Sequence, residues 1–180
     1  MKLTQEQSEL FHSLVEKYPD FPIPGITFSD LSIMYTSNEA MRMIKQLIKE
    51  NIGPRNPDCV IGCDARGFIM GTIISDVLNI PLVLARKAGK LPPCELLYRE
   101  YRLEYGTAKL EMHKHIIAKY KSPVIADDLL ATAGTVNAIS EMIGEIGINV
   151  NSYFFISEIM DLGGRERLKK FGGQVFSILK

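Results

Sequence analysis

A chain of 180 residues that is 46% apolar is long enough to bury one sizeable core, and it reads as a single domain over 1–180. Its 21 basic and 21 acidic residues cancel, so no global field holds nucleic acid or an anionic membrane, and any anion must be bound locally. No apolar run is long enough for a bilayer span and the opening MKLTQEQSEL has no export-type apolar region, so the expected location is cytoplasmic; Cys59, Cys63 and Cys94, odd in number and without metal-type spacing, read as reduced and mostly buried thiols.

Thr4 and Gln7 have capping-box spacing, and Leu10, Phe11, Leu14 and Val15 follow as a helical stripe. YPDFPIPGITFSD, residues 18–30, is dense in proline and glycine and reads as loop. A second helix is predicted from about Asn38 to Asn51, with Ala40, Met43, Ile44, Leu47 and Ile48 inward. DCVIGCD reads as a buried strand, ARG as the turn into a helix from Phe68 to Leu78, and IPLVLARK as a second buried strand. Between Leu96 and His115 the pattern changes, with Ala108, Leu110 and Met112 alternating with Lys109, Glu111 and His113 as in a half-exposed antiparallel strand. SPVIADD returns to a continuous apolar run, and Val136, Ile139, Met142, Ile143 and Ile146 predict a helix closing at Gly147. VNSYFFIS is a further strand, GGRERLKKFG a short helical excursion and QVFSIL a last strand. Such alternation predicts an α/β fold: a mostly parallel central sheet flanked by helices, with an antiparallel flap.

Asp127 and Asp128 stand where the strand of SPVIADD runs out, and in open α/β sheets ligands bind beyond the carboxyl ends of the strands. The small residues that follow, Ala131, Thr132, Ala133, Gly134 and Thr135, let backbone N–H groups turn toward one point at a helix start, which makes a phosphate cradle. Carboxylates beside a phosphate would repel it, so the acidic pair should face something uncharged and rich in donors. An ionised aspartate only accepts hydrogen bonds, and a ribose diol meets that need. Helix capping by one aspartate explains neither the second acid nor the bare loop. After the two preceding strands, Arg66, Arg86, Lys87 and Lys90 converge on the same sheet edge as a cationic cup suited to a diphosphate. Phe28 offers a ring for stacking a flat base. His113 and His115 admit a ligand pair, but two surface histidines on a strand face is the reading adopted.

VIADDLLATAGT resembles the phosphoribosyl-pyrophosphate motif of type I phosphoribosyltransferases. YPDFPIPGITFSD, CDARGFIMG, RKAGKLP, LEYG and GGRERL, in that order from about Tyr18 to the C-terminus, resemble the adenine phosphoribosyltransferases of that family. There are departures. Ala133 stands for the glycine usual in ATGGT, Ala65 for the serine of SRGF, Pro93 where glycine is common, and Ser29 where a basic residue often follows the phenylalanine. Ala133 keeps the backbone slim provided its φ is not positive.

The resemblance implies the type I phosphoribosyltransferase fold, with a small N-terminal hood carrying the adenine loop over 1–36 and a catalytic lid loop over 91–106. It implies transfer of the 5-phosphoribosyl group from phosphoribosyl pyrophosphate to adenine, giving AMP and pyrophosphate in purine salvage. It further implies a homodimer and Mg2+ held mainly by substrate and water, with neither nucleic acid nor membrane as partner. By the same resemblance Asp127 and Asp128 bind ribose, and Ala131, Thr132, Ala133, Gly134 and Thr135 bind its 5-phosphate. Ala65, Arg66, Gly67, Arg86, Lys87, Lys90 and Tyr105 take pyrophosphate; Thr27, Phe28, Ser29 and Ile159 take adenine; Glu104 manages the proton at N7 of adenine. The Asp64–Ala65 peptide is expected to be cis. Two rival readings are a transferase for hypoxanthine or guanine, against which DFPIPGITFSD argues, and a non-catalytic sensor of phosphoribosyl pyrophosphate, whose usual added DNA-binding domain finds neither space nor a basic field in this chain.

Overall fold

Thr4 starts the first helix, α1 (Gln5–Ser13), as its spacing predicts: its hydroxyl accepts from the Gln7 N–H and the Gln7 side chain accepts from the Thr4 N–H. The computed structural model describes residues 3–103 and 106–180, with 102, 103, 106 and 107 described by backbone only. Glu104 and Tyr105 lie outside the described residues.

The segment 18–30 is not all loop. Its ends belong to a two-stranded antiparallel ribbon, β1 (Glu16–Tyr18) with β2 (Phe28–Asp30), in which Tyr18 pairs with Phe28. Three-residue strands are too short to show a period, so in the sequence only the proline and glycine density of this segment is visible. Then come α2 (Ser32–Thr36) and α3 (Asn38–Asn51), the latter capped by the Ser37 hydroxyl on the Ala40 N–H and burying Ala40, Ile44, Leu47 and Ile48.

From there strands and helices alternate: β3 (Cys59–Cys63), α4 (Gly67–Leu78), β4 (Leu82–Lys87), the hairpin β5 (Leu96–Leu103) and β6 (Gly106–His113), α5 (Lys114–Ile117), β7 (Pro123–Ala126), β8 (Leu129–Leu130), α6 (Gly134–Gly144), β9 (Ser152–Glu158), α7 (Gly164–Leu168) and β10 (Gln174–Leu179). The sheet runs β10-β9-β7-β3-β4-β6-β5, with β8 beside the end of β9. β10, β9, β7, β3 and β4 are mutually parallel, while β6 is antiparallel to both β4 and β5. This is the mostly parallel sheet with an antiparallel flap.

Every residue of β3 and β7 is buried because both sheet faces are covered, which is why these strands read as continuous apolar runs. Alternate residues serve opposite faces. Ile61, Ile125 and Phe155 pack with Val136, Ile139, Met142 and Ile143 of α6; Val60, Val124 and Phe154 pack with Ile44 and Ile48 of α3 and Met70 and Ile74 of α4. At about 1.5–3 kcal/mol for each large aliphatic side chain fully buried, these two layers dominate the favourable side of folding.

In the flap Leu110 and Met112 are buried as their alternation predicts, but Glu111 is buried as well. Its carboxylate accepts from the Gly89 N–H at 3.0 Å and lies 3.6 Å from Lys109 Nζ, so it ties down the turn after β4. Among the described residues no helix is long and apolar enough to cross a membrane.

Candidate active site

β3 and β7 lie side by side, so the loops leaving their carboxyl ends meet at one edge of the sheet. They abut closely because residue 67 has no side chain: a Cβ there would come within 2.6 Å of the Ala126 carbonyl oxygen and 2.9 Å of Asp127 Oδ1. The first peptide of the 64–66 turn, Asp64–Ala65, is cis, as the resemblance implies.

The two loops feed α4 and α6, and among the described residues no side chain caps either helix start, Arg66 for α4 or Ala133 for α6. At α4 the Phe68 and Ile69 N–H groups already donate to the Ala65 and Arg66 carbonyls, each at 3.1 Å, and both helix starts carry the positive end of a helix dipole. Beside them opens a cavity of about 410 Å3 whose walls are Asp64, Ala65, Arg66, Lys87, Tyr101, Ala108, Asp127, Asp128, Leu129 and Thr135. Two helix starts without side-chain caps and an acidic pair thus share one site.

Ala133 does not meet the condition set for it. Its φ is +66° with ψ 13°, the left-handed region, which costs an alanine roughly 1 kcal/mol more than a glycine. Its methyl group is buried in the core beside α6.

Of the acidic pair, Asp128 is buried, and its Oδ2 lies 2.6 Å from Arg66 Nε. Asp127 Oδ1 accepts the backbone N–H of Asp128 at 3.0 Å. Burial raises the Asp127 carboxyl well above its ordinary value and the Asp128 charge adds to this, while the Asp128 N–H and Arg66 offset it only in part. Asp128 is raised too, because burial outweighs the Arg66 guanidinium. Two such acids titrate as a pair, and additional donors are what would let both ionise.

Arg66 also reaches the hood. Its Cζ stands 5.6 Å from the centroid of the Phe28 ring, and Phe21 meets that ring edge-on at 5.3 Å. Arg86 is engaged locally: its Nε is 3.1 Å from Asp64 Oδ2, and its Cζ lies 5.7 Å from the Phe68 ring centroid. The Lys87 backbone N–H donates to the same Asp64 oxygen at 3.3 Å, and its residue forms part of the cavity wall.

Other predicted site residues stand back from that wall. Lys90 is exposed after β4, Thr27 is exposed, and Ser29 is half-buried within β2. Ile159 follows β9 with its side chain at the surface and its N–H bonded to the Leu130 carbonyl at 2.9 Å. Gly67 at the start of α4 and Ala131 to Gly134 ahead of and at the start of α6 adjoin the cavity-wall residues Arg66 and Thr135 in sequence but are not themselves part of the wall. The readings for Glu104 and Tyr105 fall outside the described residues.

Sequence reasoning missed Tyr101, whose hydroxyl is 3.4 Å from Thr135 Oγ1 across the cavity, and also Asp64. Only the hairpin register, which sets Tyr101 opposite Ala108, carries that information. It missed equally how GGRERL works. A Cβ on Gly164 would collide with the Ala131 carbonyl oxygen, and Arg167 Nη1 donates to the Thr132 carbonyl at 2.9 Å, so α7 is the floor under the 131–135 loop.

Comparisons with known proteins agree with this geometry. Residues 32–170 match the model of the phosphoribosyl transferase domain. The adenine phosphoribosyltransferase of Lachnoclostridium phytofermentans is 41% identical over 166 residues, 92% of this chain and 94% of that one. The crystal structure of the adenine phosphoribosyltransferase from Thermoanaerobacter pseudethanolicus superposes with a TM-score of 0.88 at 35% identity, covering 96% and 98% of the two chains. That of the Saccharomyces cerevisiae enzyme, complexed with an imino-altritol bisphosphate and adenine, superposes with a TM-score of 0.86 at 29% identity, covering 98% and 100%.

Proposed function

The chain belongs to the phosphoribosyl transferase domain family, among its adenine phosphoribosyltransferases, and from that premise we propose how its own residues move a 5-phosphoribosyl group from phosphoribosyl pyrophosphate to adenine. The arrangement that carries the reading is the pair of uncapped helix starts flanking Asp127 and Asp128 on one cavity. The α6 end, with Thr132 and Thr135, holds the 5-phosphate; the α4 end, with Ala65, Arg66 and Gly67, holds pyrophosphate.

Asp127 and Asp128 accept from the 2- and 3-hydroxyls of the ribose, and those donors favour ionisation of an acidic pair that burial disfavours. Arg66, now on Asp128, is released toward the phosphates as the ribose hydroxyls replace it. Lys87 adds positive charge at the leaving group, joined by Arg86, Lys90 and Tyr105. Adenine stacks on Phe28 beneath the hood, read at its edge by Thr27 and Ser29 and closed on the other face by Ile159. As the bond from C1 of the ribose to pyrophosphate breaks, the ring gains oxocarbenium character and N9 of adenine adds to C1. The 91–106 segment is not the loop the sequence suggested, since 96–103 is strand β5. Glu104, which it carries, accepts the proton that leaves N7 as N9 bonds to C1, and closure of the segment excludes the water that would compete for C1.

Asp64, Asp127 and Asp128 put hard oxygen donors on the wall, and neither thiolate nor imidazole lines the described cavity. That donor set suits Mg2+, which would be held chiefly by substrate oxygens and water and would supply charge neutralisation for the diphosphate. A homodimer is supported by Ile69 on α4 and Leu84 on β4, apolar side chains 42% and 39% exposed. A cytoplasmic location accords with three free cysteines, two of them buried.

The test is to supply phosphoribosyl pyrophosphate and Mg2+ with each nucleobase separately. AMP from adenine, with hypoxanthine and guanine poor substrates, is the expected outcome. Preferential formation of IMP or GMP would overturn the adenine assignment.

A further inference from the structure

Cys94, His113 and His115 offer Sγ and two ring nitrogens that all lie within 4.8 Å of one another, on the far side of the flap's strands from its tip. Ligands around a tetrahedral Zn2+ stand roughly 3.3–3.8 Å apart, so small side-chain rotations bring this trio to coordination distance. A second observation points the same way. The His113 side chain is half-buried, but its Nε2 is inaccessible to solvent and has no hydrogen-bond partner among the described residues, although buried polar atoms are almost always satisfied. The His113 and His115 rings are 5.3 Å apart and tilted by 42°, so stacking does not account for the pairing.

The frame that holds the trio is built. The Lys114 N–H donates to the Glu95 carbonyl at 3.1 Å, and Lys114 Nζ pairs with Glu95 Oε1 at 2.5 Å. These bonds fix the residue beside Cys94 to the residue between the two histidines. The ion pair also offsets the Lys114 charge, which would otherwise repel a cation.

We propose that Cys94, His113 and His115 form a three-ligand site for Zn2+, with a water in the fourth position. A thiolate with two imidazoles selects a borderline-soft ion of the zinc type over Mg2+, so this site is chemically separate from the Mg2+ of the substrate. Cys94 precedes β5 and His113 ends β6, with Leu96 paired to His113, so one ion fastens both legs of the hairpin at its root.

The experiment uses the full chain without substrate, which keeps its outcome independent of the transferase reading. Co2+ is titrated as an optical probe in excess Mg2+, then displaced by Zn2+. One Co2+ per chain with a thiolate charge-transfer band is expected, and Zn2+ should displace it. Cys94 is exposed, so Cys94→Ser leaves the fold intact; it should abolish the band. His113→Gln should weaken Zn2+ by more than the roughly 10–100-fold that loss of an outer-sphere partner costs. Amide exchange in β5 and β6 should slow with Zn2+ in the unmodified chain and not in Cys94→Ser. Absence of saturable binding, or binding that survives both substitutions unchanged, overturns the proposal.

Discussion

Asp127 and Asp128 are adjacent because β7 ends there, and their mutual repulsion is tolerable only where a partner supplies donors. In the free chain burial and the neighbouring charge hold Asp127 well above the ordinary carboxylate range. Above about pH 4, where an unfolded aspartate has lost its proton, the folded chain still binds one. Folding stability therefore falls as pH rises from there through the raised folded value, and below that window the effect disappears. Asp127→Asn removes this penalty, so the free variant should melt at a higher temperature than the unmodified chain near neutral pH, with the difference shrinking toward pH 4. Thermal melts across that range check it; a variant that is less stable at neutral pH and equally so at pH 4 would count against it. Glu104→Gln should lower kcat by roughly 100-fold or more, with little change in KM for adenine, as for loss of a general acid–base group. Steady-state kinetics at saturating phosphoribosyl pyrophosphate decide this, and an unchanged kcat returns Glu104 to an ordinary surface acid. Ala133 shows two residue-scale terms in balance. Replacement by glycine would relieve roughly 1 kcal/mol of left-handed backbone strain and forfeit about 0.8 kcal/mol from the buried methyl, so the alanine costs almost nothing.

At the scale of elements, α7 matters more than its five residues suggest. Gly164 packs its bare Cα against the Ala131 carbonyl, and Arg167 holds the Thr132 carbonyl, so the 131–135 loop rests on this one turn. Gly164→Ala inserts a methyl where backbone stands and cannot yield cheaply. Overpacking of this kind costs about 1–3 kcal/mol, or a Tm lower by roughly 2–4 °C for each kcal/mol in a chain of this size. Phosphoribosyl-pyrophosphate affinity should fall at least about tenfold alongside, measured calorimetrically; unaltered affinity would uncouple α7 from the loop. The strands β3, β7 and β9 and the helices α3, α4 and α6 were legible in the sequence because each has a period or a continuous apolar run. The ribbon of β1 and β2, the two-residue β8 and the strand β5 were not. Their pairing partners are distant or too short to leave a pattern, and proline and glycine marked the ribbon as loop. Tyr101 was hidden for the same reason: its place opposite Ala108 and beside Thr135 exists only once the hairpin register is set. The acidic pair and its loop were legible because they are contiguous in sequence.

At the scale of the whole molecule, an ion pair between half-buried Arg165 and buried Glu158 joins the last third of the chain. Arg165 at the start of α7 forms a bidentate bond with Glu158 at the end of β9, and it also donates to the Val175 carbonyl and the Ser177 hydroxyl of β10. Burial alone would raise the Glu158 carboxyl, but the bonds from Arg165 and Ser177 and the Arg165 charge outweigh it and hold the group below its ordinary value. Its contribution is therefore present above the unfolded value and lost as pH falls through the lowered folded one. Arg165→Met leaves a buried charge without its partner and should destabilise the chain by about 3–5 kcal/mol in urea unfolding, whereas the added change Glu158→Leu should recover much of that loss. A single variant as stable as the unmodified chain would remove this pair from the account. The same β9 whose end is clipped here also pairs with β8 and so sets the exit of the Asp127–Asp128 loop, which makes core and site one mechanical unit. The central claim is that this loop holds the ribose of phosphoribosyl pyrophosphate, and calorimetric titration of the Mg2+ complex into Asp127→Asn and Asp128→Asn tests it most directly. Each substitution should weaken binding by about 1–3 kcal/mol, roughly 5–150-fold, for the buried hydrogen bond it impairs. Affinity equal to that of the unmodified chain in both variants would contradict it.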